Sequence, residues 1–233
     1  MLKPMFNTVA ETYDLSNKVL TFGLDKRWRK ACAEESTSGK YVVDLCCGTG
    51  DLSLQLLQNI APGSLLVGLD FSKEMLKKAV EKKCKNTNVK QAATSFTFVI
   101  ADAAHVPIRN GCIDDIRIAF SFRNLIYKNP KAITYLREVA RTLKDNRQFT
   151  CVETSQPNNS FVRGFFHFYC LRIVPFIGGL ISGRKPAYKY LGKSAANFPI
   201  PQDIMTMMRK AGFKKAKFKP LFLGIVALYI ATK

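Results

Sequence analysis

The sequence predicts an α/β fold with a doubly wound, mostly parallel sheet of seven strands. Between residues 41 and 153, short apolar runs rich in β-branched residues alternate with amphipathic segments of helical period. This alternation is typical of parallel strands joined by helices that cover both faces of a sheet. Two further strand-like runs, at 214–220 and 224–232, have no helical segment between them. We expect these two runs to form an antiparallel edge.

The parallel strands and their helices follow one another in order. The five strand-like runs are YVVDLCC (41–47), LLVGLD (65–70), SFTFVIAD (95–102), CIDDIRIAF (112–120) and QFTCVE (148–153). Helices are predicted at 52–60, 73–83 and 129–144, with Ser72 capping the second and Pro130 near the first turn of the third. The segment LKDNR at 143–147 is expected to turn the chain through its Asp-Asn pair.

Helical segments flank this α/β core at both ends of the sequence. Residues 5–35 carry apolar residues at helical spacing, and PQDIMTMMRKAGF at 201–213 predicts a late helix with a glycine stop. The aromatic run 161–181 contains Pro175, which is expected with Gly178 and Gly179 to break its helix.

We therefore expect one domain over 1–233. Residues 1–38 would form an N-terminal helical lid, and residues 157–200 would form a helical insertion that faces the substrate or a membrane.

Composition excludes several classes of protein. The chain has 233 residues and 47% hydrophobic residues, which suffices for a core and argues against disorder. The longest charge-free stretch, 52–69, contains Gln, Asn, Pro and Gly residues, which argues against a transmembrane helix. Seven scattered cysteines without a C-x-x-C pair predict reduced thiols and no metal site. The start MLKPMFNTVAETYD shows neither a signal nor a transit pattern, which predicts a cytoplasmic protein.

The strongest local signal is a Gly-rich turn after the first strand. In VVDLCCGTGDL at 42–52, Gly48 and Gly50 permit a tight turn and close approach of the backbone to a ligand. The helix that starts next offers free N–H groups. The spacing matches neither the dinucleotide motif G-x-G-x-x-G nor a P-loop.

Two further strand ends complete a nucleoside-binding pattern. Asp70 ends the second strand, where a carboxylate can accept two ribose hydroxyls. Asp102 and Ala103 follow the third strand, where they can bracket an adenine ring. The turn and the two strand ends, in this order, predict a nucleoside cofactor.

This pattern resembles the class I S-adenosylmethionine-dependent methyltransferases. Six segments narrow the resemblance: FNTVAETYDLSNKVLTFGLDKRW, DLCCGTGDL, GLDFSKEML, FSFRNL, YKYLGKSAANFP and AGFKKAKFKPLFLGIVAL. They are similar to the ubiquinone/menaquinone biosynthesis C-methyltransferase family along nearly the whole chain. The resemblance implies a Rossmann-like methyltransferase fold and C-methylation of a polyprenyl benzoquinol or naphthoquinol ring.

The resemblance also implies where S-adenosylmethionine binds. Together with the turn glycines, the implied cofactor residues are Gly48, Thr49, Gly50, Asp70, Asp102, Ala103 and Ala119. Ala119 stands where the family has a serine, so a backbone contact is expected there. Asp25 and Lys26 stand where the family has His-Arg.

Three residues are candidates for catalysis. Arg123, in the family's Arg-Asn pair, is expected to stabilise a substrate phenolate or to order the water that takes its proton. A guanidinium is always charged, so it is a poor base itself. Tyr13 and Asp14 lie on a predicted N-terminal helix that can close over the pocket.

The implied substrate also suggests partners. A polyprenyl quinol resides in the bilayer, and the net charge of +19 favours an anionic membrane surface. The basic stretch 209–219 and the aromatic run 161–181 are expected to form one peripheral docking face at the inner side of the membrane, and a homodimer is possible. No nucleic acid is expected as a partner.

Several functions stay open. Demethylmenaquinol is the favoured substrate, and a benzoquinol of the ubiquinone pathway is the alternative. The positive charge also fits an RNA methyltransferase, and the alanine at 119 fits a non-catalytic scaffold.

Overall fold

The computed structural model describes residues 2–35, 39–86 and 94–233. Within them the chain forms a seven-stranded sheet of order β3-β2-β1-β4-β5-β7-β6. The strands are β1 (Tyr41–Leu45), β2 (Leu65–Asp70), β3 (Ser95–Ile100), β4 (Ile113–Ala119), β5 (Leu143–Thr154), β6 (Lys215–Leu221) and β7 (Val226–Thr232). Strands β1 to β5 pair in parallel, and β7 pairs antiparallel with β5 and β6. The predicted doubly wound sheet with its antiparallel edge is confirmed.

The helices of the described residues cover the sheet and its carboxyl edge. They are α1 (Leu2–Val9), α2 (Tyr13–Leu20), α3 (Leu24–Glu34), α4 (Asp51–Leu56), α5 (Lys73–Lys85), α6 (Phe122–Ile126), α7 (Ala132–Thr142), α8 (Ser160–Phe168), α9 (Val174–Ser182), α10 (Lys185–Ala196) and α11 (Pro201–Lys210). Ser72 caps α5 as predicted, because its Oγ accepts a hydrogen bond from the Met75 N–H at 3.2 Å. The predicted helical region 5–35 is divided into α1, α2 and α3, with Gly23 at φ 74° in the last of the two turns.

Burial in the sheet follows strand position. The central strand β4 is buried from Ile113 to Ile118, and β7 is buried from Val226 to Ala231, since helices or neighbouring strands surround them. The edge strand β6 instead alternates, and its exposed positions include Lys215, Lys217 and Lys219. Lysines on an exposed edge oppose pairing with another chain. Part of the positive charge is thus explained by the sheet edge.

The fifth strand begins earlier than the sequence predicted. The segment 143–147 is not a turn but the first part of β5. The pairing with β4 shifts between Ile113 and Asp115, and Asn146 adopts φ 61° where it donates its N–H to the Lys233 carbonyl. The Asp-Asn pair therefore forms a bulge inside the strand, because Asn tolerates the left-handed region.

The long aromatic helix is also more continuous than predicted. Residues 160–182 run as α8, a π-helical segment (Tyr169–Ile173) and α9. The wider π turn directly before Pro175 accommodates a ring that would clash in a regular helix. By length and composition alone this helix is apolar enough to cross a membrane. It packs on one side against α2 and α10.

Glycines let α10 pack closely on this long helix. A Cβ at Gly178 would lie 2.1 Å from Tyr188 Cδ1, and a Cβ at Gly192 would lie 1.9 Å from the carbonyl oxygen of Cys170. The prediction that Gly178 breaks the helix is wrong, because the glycine serves close packing between helices instead.

The variant Gly192→Ala tests this packing. The new methyl group would meet a backbone oxygen that cannot rotate away, so the free energy of unfolding should fall by roughly 1–3 kcal/mol. Gly164→Ala is the matched control, since an added Cβ meets nothing within 4 Å on the exposed side of α8. Because alanine favours a helix more than glycine does, Gly164→Ala should leave the free energy of unfolding unchanged or raise it by up to about 1 kcal/mol. Urea unfolding of both variants measures the difference, and equal midpoints would contradict the packing.

Candidate active site

The Gly-rich turn lies at the carboxyl edge of the parallel strands, between β1 and α4. Gly48 and Gly50 adopt φ 55° and 82°, in the left-handed region. A Cβ at Gly50 would lie 3.1 Å from Ala79 Cβ and 3.2 Å from Phe98 Cζ, so this position also needs a small residue. The sequence pattern and the backbone therefore agree at the turn.

Asp70 is joined directly to this turn. Its Oδ2 accepts a hydrogen bond from the Gly48 N–H at 2.9 Å, and its Oδ1 accepts one from the Ser72 N–H at 2.8 Å. Burial raises the pKa of the carboxyl above its ordinary value, although the backbone N–H groups oppose this shift. Each carboxylate oxygen has a further lone pair. Asp70 can therefore still accept hydroxyl groups.

The third predicted strand end lies beside Asp70. β2 and β3 pair in parallel with Asp70 opposite Ile100, and Asp102 and Ala103 follow immediately. Asp102 Oδ1 accepts the Ala104 N–H at 2.9 Å, and Ala103 is buried. The structure thus brings the Gly-rich turn, Asp70, Asp102 and Ala103 to one edge of the sheet.

A small pocket of about 20 Å³ lies on the other side of the turn. It is lined by three predicted cofactor residues, Gly48, Thr49 and Ala119. It also contains Asp44, which the sequence analysis did not select. An acid inside the apolar run YVVDLCC was the available signal.

Asp44 is a buried acid with spare hydrogen-bonding capacity. Its Oδ2 accepts the Ser53 hydroxyl at 2.5 Å, while Oδ1 has no hydrogen-bond partner in the part of the chain that the structure describes. Burial raises the pKa of this carboxyl to about 7.

Helix α2 covers the Gly-rich turn through Asp14. The Thr49 hydroxyl donates to Asp14 Oδ1 at 2.6 Å, and Lys82 Nζ lies 2.6 Å from Asp14 Oδ2 and 2.5 Å from Asp51 Oδ1. A second contact holds α1, where the Ser72 hydroxyl lies 2.6 Å from Asn7 Oδ1. These contacts hold the N-terminal helices over the turn. Asp14, a predicted catalytic candidate, lines neither pocket.

A larger cavity of about 370 Å³ lies beneath α1 and α2, the long aromatic helix and α10. Its walls are predominantly apolar and aromatic. Examples from different elements are Val9, Trp28, Phe120, Phe166, Leu191 and Ile225. The cavity opens near Phe22, Phe165 and Phe222, which are all well exposed.

Arg123 lines this cavity from α6 and is held by a buried carboxylate. Its Nη1 donates to Glu153 Oε1 at 2.7 Å, and its backbone N–H donates to Glu153 Oε2 at 3.0 Å. Arg123 Nε is buried and has no hydrogen-bond partner among the described residues. Glu153 was missed by the sequence analysis, although an acid ends the apolar run QFTCVE.

Two residues, Tyr13 and Arg29, line both the small pocket and the large cavity among the described residues. Burial raises the pKa of the Tyr13 phenol, and the nearby Arg29 charge opposes the shift. The Arg29 guanidinium lies 5.2 Å from the centre of the Phe120 ring and forms an ion pair with Asp25. The predicted candidate Tyr13 therefore stands where the two spaces meet.

The exposed surface beside the cavity belongs to the long helix. Phe161, Phe165, Phe168, Leu171, Phe176 and Leu180 are exposed along the long helix, and we call these six residues the aromatic face. The basic stretch 209–219 lies mostly elsewhere. Lys215 is level with Gln148 through β7, whereas Leu221 is level with Thr154, the end of β5 that leads to the aromatic face. Six strand residues separate the two levels by roughly 20 Å, so Lys215 lies far along the sheet from the end that leads to the aromatic face. Lys219, level with Val152, lies only two residues from that end. The predicted joint docking face stays a prediction.

The variant Asp44→Asn tests the buried acid. Since the folded pKa lies above the ordinary one, the folded protein binds more protons than the unfolded chain between pH 4 and pH 7. The contribution of Asp44 to stability therefore falls as the pH rises through this window. Between pH 5 and pH 7, the free energy of unfolding should fall by about 1–2 kcal/mol more in the wild type than in the variant. Parallel pH profiles from urea titrations would contradict the assignment, and Asp203→Asn, an exposed substitution, is the control.

Known proteins resemble this chain along its whole length. The ubiE/COQ5 methyltransferase family matches residues 1–233. The ubiquinone/menaquinone biosynthesis C-methyltransferase UbiE of Geotalea uraniireducens is 33% identical, and the match covers 100% of this chain and 96% of the relative. The demethylmenaquinone methyltransferase of Thermotoga maritima is 37% identical, with 97% of this chain and 93% of the relative covered.

Solved structures share the fold at low identity. A SAM-dependent methyltransferase from Aquifex aeolicus aligns with a TM-score of 0.62 at 14% identity, covering 89% of this chain and 90% of that one. A SAM-dependent methyltransferase from Thermotoga maritima, described as a possible histamine N-methyltransferase, aligns with a TM-score of 0.63 at 15% identity over 100% of both chains. The sheet is therefore a Rossmann-like methyltransferase fold. With a family match along its whole length and relatives above 30% identity, the chain belongs to the ubiE/COQ5 methyltransferase family.

Proposed function

We propose that this protein transfers a methyl group from S-adenosylmethionine to a ring carbon of a lipophilic quinol. One observation carries the proposal: an apolar cavity of about 370 Å³ meets the pocket beside the Gly-rich turn at Tyr13 and Arg29. An apolar cavity suits a prenylated ring, whereas an RNA substrate needs a charged groove with stacking platforms. The names of the relatives support demethylmenaquinol as substrate, and the benzoquinol of the ubiquinone pathway is equally compatible.

The residues at the sheet edge fit the methyl donor. When bound, S-adenosylmethionine supplies a methyl group on a positively charged sulfur that is already activated for transfer. Asp70 would hold the ribose hydroxyls, and Asp102 with Ala103 would border the adenine. Asp44, with one buried and unpartnered oxygen, offers an acceptor for a positively charged or N–H group. Thr49, Gly48, Gly50 and Ala119 would border the rest.

Binding of the donor requires movement of the N-terminal helices. The pocket of about 20 Å³ is far smaller than the several hundred Å³ that a nucleoside ligand occupies. The segment that covers the turn is held by Asp14, Thr49 and Lys82. We infer that α1 and α2 form a lid that opens to admit the donor and closes again for transfer.

Arg123 would stabilise the negative charge that develops on the ring oxygen. A ring carbon attacks more readily when the neighbouring hydroxyl has lost its proton, and a fixed donor then stabilises the phenolate. Glu153 holds the guanidinium from behind at 2.7 Å, so its orientation is set before the substrate binds. With one Nη1 hydrogen directed at Glu153, the remaining guanidinium N–H groups are donors for the substrate.

Tyr13 would position the ring where the two spaces meet. Its raised pKa keeps the phenol protonated at neutral pH, so its hydroxyl serves as a hydrogen-bond donor rather than a base. The surrounding wall excludes water, which strengthens each of these polar contacts.

The variant Arg123→Lys tests the role of Arg123. Lysine keeps a positive charge for Glu153 but lacks the planar set of fixed N–H donors of a guanidinium. With a reduced short-chain quinol, kcat should fall by roughly 100-fold, while affinity for S-adenosylmethionine should stay within about twofold. Arg141→Lys is the matched control, because Arg141 also pairs with a glutamate, Glu138 at 2.6 Å, but lies outside the cavity. Equal turnover by both variants would contradict the role.

We further propose that the aromatic face docks on the membrane that holds the quinol. Supporting this, Phe161 is 85% exposed and Phe176 is 67% exposed on the same helix that lines the cavity through Phe165. Exposed Arg172, Arg184 and Lys185 lie on this helix or directly after it, where they can meet anionic headgroups. A tail leaving the cavity near Phe165 would then remain in the lipid.

Vesicle flotation tests this docking. Phe161→Ser combined with Phe176→Ser should lower recovery on anionic vesicles at least about fivefold, because two exposed rings no longer enter the interface. Val80→Ser is the control, since Val80 is exposed on α5 instead. Unchanged recovery of the double variant would remove the aromatic face from membrane binding.

A further inference from the structure

Asp25 gives the predominantly apolar cavity a charged hydrogen-bond acceptor. It lies in the first turn of α3, lines the cavity, and its side chain is 13% exposed. The Thr21 hydroxyl lies 2.9 Å from Asp25 Oδ1, and Arg29 Nη1 donates to Oδ2. Among the described residues that line the cavity, Asp25 is the sole carboxylate, and histidine is absent from that set.

The two ion pairs at this cavity differ in whether their carboxylate faces it. In the Arg123–Glu153 pair, the guanidinium lines the cavity, whereas Glu153 is fully buried behind it. That pair therefore offers the substrate hydrogen-bond donors and no acceptor. In the Asp25–Arg29 pair, both residues line the cavity, so this pair offers an acceptor as well as donors. A bound ring thus meets a donor at Arg123 and a charged acceptor at Asp25.

This arrangement distinguishes the two redox states of a quinone ring. A quinol carries O–H groups that can donate to a carboxylate, whereas a quinone carries carbonyl oxygens that only accept. A carbonyl placed against this carboxylate forms no hydrogen bond with it, and the two acceptor oxygens repel each other. Arg123 can donate a hydrogen bond to either form, since both a hydroxyl and a carbonyl oxygen accept one.

Resting on the proposed function, we infer that Asp25 selects the reduced ring by accepting the hydrogen bond of a quinol hydroxyl. Selection has a chemical purpose, because the oxidised ring is not a nucleophile and would occupy the cavity without reacting. Arg29 also lines the cavity, with its Nη1 bound to Asp25 and its guanidinium over Phe120, so Asp25 remains the carboxylate acceptor for a hydroxyl. Asp25 is accordingly a specificity-determining residue.

Equilibrium binding to the wild-type protein provides the first test. The probes are a short-chain 1,4-naphthoquinol kept reduced under anaerobic conditions, its dimethyl ether and the matching naphthoquinone. S-adenosylhomocysteine is present in place of the methyl donor, so that no turnover occurs. The quinol should bind roughly 10- to 100-fold more tightly than the other two, because both lack the O–H donor. Equal binding of all three within twofold would overturn the role of Asp25 and leave the proposed function standing.

The variant Asp25→Asn provides the second test. An amide keeps an oxygen for Arg29 and can turn its NH₂ group toward the cavity, so the quinol-to-quinone affinity ratio should fall at least about tenfold. Asp203→Asn removes the same charge from an exposed site on α11 and should keep the wild-type ratio. Unchanged affinity for S-adenosylhomocysteine shows that the variant is folded. A ratio within twofold of wild type would overturn the inference, and failure of the wild type to bind either ring would overturn the proposed function with it.

Discussion

The contact on which the site depends is the one between Asp14 and the Gly-rich turn. Asp14 accepts the Thr49 hydroxyl and pairs with Lys82, and this holds α2 over the carboxyl edge of the sheet. Because Tyr13 precedes Asp14, the same contact places the tyrosine between the small pocket and the large cavity. Without α2 the cavity would lose one wall, and the Gly-rich turn would open to solvent. The N-terminal helices are therefore part of the site rather than an appendage of the fold.

Charge inside the cavity is arranged in pairs for a physical reason. An isolated charge in an apolar environment costs several kcal/mol, so Arg123 and Arg29 are each joined to a carboxylate. Pairing still leaves hydrogen-bonding capacity for a substrate: the remaining Arg123 N–H groups on one wall and the further lone pairs of the Asp25 carboxylate on another. The few polar groups of this apolar cavity thereby orient the ring and select its reduced form.

Most local sequence patterns predicted the structure correctly. The alternation of apolar runs, the Gly-rich turn, the Ser72 cap and the acid at Asp70 all follow from short-range patterns. The strands lie where those patterns predicted, except that β5 begins at Leu143 rather than at Gln148. Pro175 misled because a π-helical turn absorbs it, and Asn146 misled because a bulge can replace a turn.

Contacts between distant segments were out of reach for the same reason. Nothing near Arg123 in sequence indicates Glu153, and nothing near Asp14 indicates Lys82, since the fold alone brings them together. The basic stretch at 209–219 likewise spans two elements, since Arg209 and Lys210 end α11 and Lys215, Lys217 and Lys219 lie along the exposed edge strand β6. Residues such as Asp44 and Glu153, acids within apolar strands, were the signals that a reading of the sequence could have used.

Transfer of the methyl group to a ring carbon is tested by locating that group in the product. The purified protein would be incubated with S-adenosylmethionine carrying a ¹³C methyl group and a reduced short-chain demethylmenaquinol, and the product would be examined by mass spectrometry and NMR. We expect one added methyl group on the ring carbon beside a hydroxyl. Arg123 would hold the hydroxyl oxygen while the ring faces Tyr13, where the small pocket meets the large cavity. Label on an oxygen, or a quinol recovered without label, would contradict it.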